Sequence, residues 1–127
     1  MSLGREKMVK PYDNDNIFSK IIDGKVESEI IFENSYVLCI KDLFPRAPVH
    51  ILILPKKKYI DIYDFSLVAT IEEKEQIFAS FKFLIEKYAL IESGNRIITN
   101  SGKNGRQEIP HLHFHLLAGK DIGKMTN

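Results

Sequence analysis

The sequence predicts an α+β domain: a mostly antiparallel sheet of about five strands, one long helix and a short helix near the N-terminus. Three observations lead there. Short β-rich runs bounded by turn residues precede one long stretch of helical periodicity, and further β-rich runs follow it. A single early segment also spaces its apolar residues as a helix does. Strands on both sides of one long helix pack that helix against the sheet.

Residues 1–14 are polar, carry Gly4 and Pro11, and read as a flexible arm; residues 15–127 read as a single domain. "NIFSKIIDG" places apolar residues at 17, 18, 21 and 22, one helical face, with Asp15 or Asn16 as the cap and Gly24 as the stop. "SEIIFE" and "YVLCIKD" form a hairpin about Asn34-Ser35. "LFPRAP" is a loop because of its two prolines, and "VHILILP" is a buried strand ended by Pro55. From Thr70 the period becomes helical through Ile71, Ile77, Phe78, Phe81, Leu84, Ile85 and Tyr88. Thr70 and Glu73 form a capping box, and Gly94 is the expected stop. "RIITNS" is a strand, "GKNG" a turn, and "HLHFHLLA" the last strand.

A net charge of +1 argues against nucleic acid or a membrane surface as partner. The N-terminus has no apolar run of signal-peptide length, and no segment reaches the length of a membrane span. One cysteine, Cys39, excludes an internal disulfide and suits a reducing, cytoplasmic setting.

Three of the four histidines, His111, His113 and His115, alternate along the last strand and so share one face, while Leu112, Phe114 and Leu116 take the other. His50 lies in a second apolar strand and joins them if the two strands meet. Three readings compete. A metal site fits poorly, since strand positions i and i+4 lie about 13 Å apart. No cysteine or carboxylate other than Glu108 completes a ligand set. Structural filling would require a partner for every ring. Nucleophilic catalysis on phosphorus uses a neutral imidazole whose other nitrogen is held by a hydrogen bond, with neighbouring donors around the phosphoryl oxygens. "NSGKNGRQ", just upstream, supplies glycines such as Gly105 and exposed amides able to approach a phosphate.

"HLHFHLL" resembles the alternating motif of the histidine triad (HIT) family of nucleotide hydrolases and transferases. "NIFSKIIDGKVESEIIFE", "KDLFPRAPVHILILPKK" and "NSGKNGRQEIPHLHFHLLAGK" resemble successive blocks of its small phosphoramidase-like branch, so the likeness spans roughly residues 16–120. The resemblance implies a half-barrel-like fold that forms a homodimer with a sheet continuous across it, through the helix from Thr70 to Ser93 and the strand from Asn95 to Ser101. It implies a purine nucleotide substrate and no cofactor. His113 would attack the α-phosphorus to give a nucleotidyl-imidazole, His115 would donate to the phosphate or leaving group, and His111 and His50 would orient the set. Asp42 would hold the ribose hydroxyls, Asn100 and Gln107 would lie near the phosphate, and Ile17, Phe18, Ile21 and Leu43 near the base. A dinucleoside polyphosphate hydrolase, a nucleotide-binding protein without turnover and a His-based metalloprotein are the alternatives.

The chain departs from that pattern in three places. Asn16 and Ser19 stand where many bacterial relatives carry a cysteine pair for structural zinc, so no metal is expected. Glu108 replaces the serine before the triad and brings a carboxylate to the phosphate region. No tryptophan occurs in the twelve residues after His115.

Overall fold

The computed structural model describes residues 11–125. Helix α1, Ile17–Ile22, is capped by Asn16, whose Oδ1 accepts from the Ser19 N–H at 2.9 Å. Strands β1 (Ile30–Glu33) and β2 (Val37–Lys41) form the expected hairpin. The Asn34 side chain builds its turn by accepting from the Tyr36 and Val37 amides at 2.8 and 2.9 Å. Strand β3 is Val49–Pro55. Helix α2, Ile62–Val68, follows, then helix α3, Ile71–Lys87, strand β4, Asn95–Ile98, and strand β5, Phe114–Ala118. The five strands form one sheet in the order β1-β2-β3-β5-β4, and every neighbouring pair is antiparallel.

Both faces of the central strands are covered, which is why "VHILILP" reads as a continuous apolar run. One face carries Val37, Cys39, Ile51, Ile53, Phe114 and Leu116, packed against Ile77, Phe81 and Leu84 of α3. The other carries Leu38, Ile40, Leu52 and Leu54, packed against Phe18 of α1. Cys39 is buried, as its apolar context predicts, and burial pushes its thiol up to about 12.

Three sequence expectations need correction. Helix α2 was not anticipated: seven residues give too few turns for a clear period. Its one signal was Asp61, whose carboxylate caps the helix by accepting from Asp64 N–H at 2.9 Å. Helix α3 begins at the predicted capping box, with Thr70 and Glu73 satisfying each other's amides at 3.0 and 2.9 Å. It ends at Lys87, well before Ser93 and Gly94. Ala89 turns into the left-handed region at φ +55°, its N–H reaches Glu86 O, and Leu90 N–H reaches Ile85 O at 2.8 Å. That is a Schellman closure, held by burial of Leu90. Finally, the last strand begins at Phe114, so residues 111–113 lie before the ladder.

The backbone of 111–113 is held otherwise. His111 N–H donates to Ile109 O, Leu112 N–H donates to Tyr59 O at 2.8 Å, and the Thr99 hydroxyl donates to His113 O at 2.7 Å. Tyr59 is anchored in turn, its hydroxyl donating to Glu73 Oε1 at 2.9 Å. The cap of α3 is thereby tied to the segment that carries the histidines. Among the described residues no helix is long and apolar enough to cross a membrane.

Candidate active site

β3 and β5 are neighbours, with His50 opposite Leu117 and Leu52 opposite His115. His50 and His115 are therefore diagonal neighbours on one face, and His50 Nε2 lies 2.9 Å from His115 Nδ1. The rings of His113 and His115 follow at 5.1 Å between centroids. Phe18 of α1 sets its ring edge-on against His113 at 4.8 Å and His111 at 6.3 Å. All four imidazoles thus gather beneath α1.

The hydrogen bonds fix the protonated nitrogen on each ring, because a carbonyl only accepts and an amide only donates. His111 Nε2 faces Pro55 O at 2.9 Å, so it carries the proton; Nδ1 then accepts from the Tyr12 hydroxyl at 2.6 Å. His113 Nδ1 faces the carbonyl of His111 at 2.7 Å, so it carries the proton and leaves an unshared pair on Nε2. His50 Nδ1 accepts from the Arg46 amide at 3.1 Å, so its Nε2–H donates to His115 Nδ1. His115 is left with a free Nε2–H. One ring offers a lone pair and its neighbour offers a donor, the pairing that nucleophilic substitution requires.

A cleft of about 480 Å³ opens onto these atoms. His113, His115 and His50 line it, with Asp42, Asn100 and Glu108 among its polar lining and Ile17, Phe18, Ile21 and Leu43 among its apolar walls. Asp42 Oδ1 accepts from Phe44 N–H at 2.8 Å, and its Oδ2 lies 3.4 Å from His50 Nε2. His111, Gly105 and Gln107 do not line the cleft. His111 stands fully buried behind His113. Gln107 spends its amide on Ile60 O and Ile109 O and its oxygen on Gly102 N–H. Gly105 O accepts from Asn100 Nδ2 at 2.8 Å, and a side chain at Gly105 would strike the Ser101 backbone, so this glycine shapes the loop that presents Asn100.

Sequence reasoning missed several participants. Residues 1–10 of the expected arm lie outside the described residues, but Tyr12 is bonded to His111 and accepts from Asn16 Nδ2 at 3.0 Å. No pattern in the sequence marks that tyrosine. Arg46 and Arg106 also line the cleft, inside loops that were read for their prolines and glycines alone. Asp42, His50 and His115 place possible metal ligands within 4.8 Å of one another. A cation there would have to break the His50–His115 hydrogen bond, since its proton occupies the lone pair that a metal needs.

Burial, then the charges of neighbouring histidines, pushes His111 and His115 down to about 4, and burial lowers His113 and His50 as well. All four shifts favour the neutral ring at pH 7. Between pH 6.5 and about 4 the unfolded chain takes up protons that the native histidines refuse. The free energy of unfolding should therefore fall as pH drops through this window, and His111→Asn should flatten that slope. Denaturant titrations at stepped pH measure it, and equal slopes for both proteins would contradict the assignment.

Comparison with known proteins agrees with this geometry. The HIT domain model matches residues 23–122. An uncharacterised HIT-like protein of Rickettsia prowazekii is 40% identical over 116 residues, covering 91% of this chain and 97% of its own length. The structure of a HIT family hydrolase from Legionella pneumophila superposes with a TM-score of 0.80 at 33% identity, covering 89% of this chain and all of that one. A histidine triad nucleotide-binding protein from Candida albicans gives a TM-score of 0.75 at 28% identity, covering 84% of this chain and 76% of that one. The chain belongs to the HIT, or histidine triad, family.

Proposed function

We propose that the protein is a hydrolase of purine nucleotide conjugates, nucleoside phosphoramidates foremost, acting at the α-phosphorus through a nucleotidyl-His113 intermediate. The observation that carries this reading is the 2.7 Å bond from His113 Nδ1–H to the His111 carbonyl, which leaves Nε2 as a lone pair facing the cleft. Membership of a family that includes a Legionella hydrolase and a Candida nucleotide-binding protein supports it.

In the first step His113 Nε2 forms a bond to phosphorus as the bond to the leaving group breaks. His113 then carries a positive charge. The His111 carbonyl holds its Nδ1–H, and the negative charges of Asp42 and Glu108 favour the cation. The Nε2–H of His115 gives its proton to the departing atom as the bond to phosphorus breaks. Water then attacks phosphorus and returns a proton to His115 Nε2 while the P–N bond to His113 breaks, and nucleoside monophosphate leaves. Asp42 serves the ribose hydroxyls, and Ile17, Phe18, Ile21 and Leu43 enclose the base. An oxygen leaving group suits the same donor, so a dinucleoside polyphosphate is the second substrate class.

A second copy of the chain completes the molecule. Tyr63, Leu67 and Val68 of α2 and Ile71 and Phe78 of α3 are 52–77% exposed, an apolar surface larger than scattered residues explain. Among the described residues β4 is an edge of the sheet, available to pair across a dimer axis.

His113→Ala should lower kcat by about a thousandfold or more while nucleoside monophosphate binding persists. Rapid quenching of the native enzyme should trap nucleotide on His113 alone. Near-normal turnover in the variant, or nucleotide on another residue, would defeat the mechanism. Light scattering at micromolar concentration should give twice the chain mass; a monomer would remove the dimer.

A further inference from the structure

Two cationic residues that the chemistry above does not use line the cleft. Arg46 lies in the loop between β2 and β3 and Arg106 in the loop between β4 and β5, and both side chains line the cleft. Each residue is exposed. Among the described residues neither guanidinium has an ion-pair or hydrogen-bond partner.

Their positions are specified. The Arg46 backbone is pinned by its amide, which donates to His50 Nδ1. His50 in turn donates to His115. In the mechanism proposed above, Arg46 therefore sits beside the His50–His115 pair that serves the leaving group. The Asp42 carboxylate acts on His50 and His115, and the Arg46 charge reaches both rings against it.

Arg106 is held at φ +60°, in the left-handed region where glycine is at ease and a side chain is strained. Its amide closes a turn onto Lys103 O, an interaction glycine would make equally well. The fold does not call for a side chain here. Strain of this kind persists at binding sites, where the side chain is used by a ligand.

We propose that Arg46 and Arg106 form a leaving-group subsite that selects nucleotide conjugates whose departing part bears its own anionic group, a carboxylate or a phosphate. Guanidinium forks suit either group through paired N–H donors. The proposal rests on the hydrolase reading and narrows its substrate class.

The test compares kcat/KM for two nucleoside phosphoramidates of the same amine, one with a free carboxylate on the amine and one with that carboxylate as its amide. A third conjugate with a terminal phosphate on the amine separates the two anions. The native enzyme should prefer an anionic conjugate by several-fold, and the preference should weaken with salt. In the Arg46→Gln/Arg106→Gly double variant the anionic-to-neutral ratio should fall toward one. Arg106→Gly alone should match or exceed the native protein in thermal stability, because it relieves the backbone; a purely structural arginine would lower it. A native ratio of one, or a ratio untouched by the double variant, would overturn the proposal. Failure of all three conjugates to turn over would instead count against the hydrolase reading. In that case calorimetric affinities of His113→Ala for the same compounds give the ratio, and equal affinities overturn the subsite.

Discussion

The site depends on one hydrogen bond, from His113 Nδ1–H to the carbonyl of its neighbour His111. It decides which nitrogen of the central imidazole keeps its lone pair. It exists because the last strand starts late. Had the ladder run through residues 111–113, strand pairing would compete for that carbonyl. With β5 beginning at Phe114, the carbonyl is free to accept from the ring two residues on. The His111 and Leu112 amides and the His113 carbonyl are met from outside the ladder, by the local turn at Ile109, by Tyr59 and by Thr99. An irregularity in the sheet therefore sets the chemistry.

Around that bond the fold keeps four imidazoles uncharged at close quarters. The sheet contributes the register that opposes β3 and β5, and hence the His50–His115 pair. α1 contributes the Phe18 ring that covers His111 and His113. Tyr12 and the Pro55 carbonyl hold His111 at both nitrogens, so the ring behind His113 keeps one orientation. Burial accounts for most of the lowered proton affinity, and each ring discourages protonation of the next. The same arrangement favours a neutral His113 and underlies the expected loss of stability in acid.

Much of this was legible in the sequence. The five strands followed from their flanking turn residues, and the alternation of His111, His113 and His115 against Leu112, Phe114 and Leu116 gave the face assignment. The Thr70–Glu73 box marked the start of α3 because capping is local chemistry. What escaped depended on distant partners or on backbone geometry. The end of α3 is set by Ala89, a residue with no left-handed preference, together with the burial of Leu90. Tyr12 meets His111 across 99 residues. Arg106 adopts a glycine-like conformation that its identity conceals. Gly105 and Gln107 were expected at the nucleotide, yet their atoms are spent on the loop that presents Asn100 and Glu108.

The tautomers of the four histidines test the account most directly. Long-range proton–nitrogen correlation spectra of the ¹⁵N-histidine-labelled protein at neutral pH distinguish a protonated Nδ1 from a protonated Nε2 in each ring. A single ring protonated at Nδ1 is expected, assigned to His113 by its loss in His113→Ala, with His50, His111 and His115 protonated at Nε2. A His113 ring protonated at Nε2, or charged at pH 7, would contradict it.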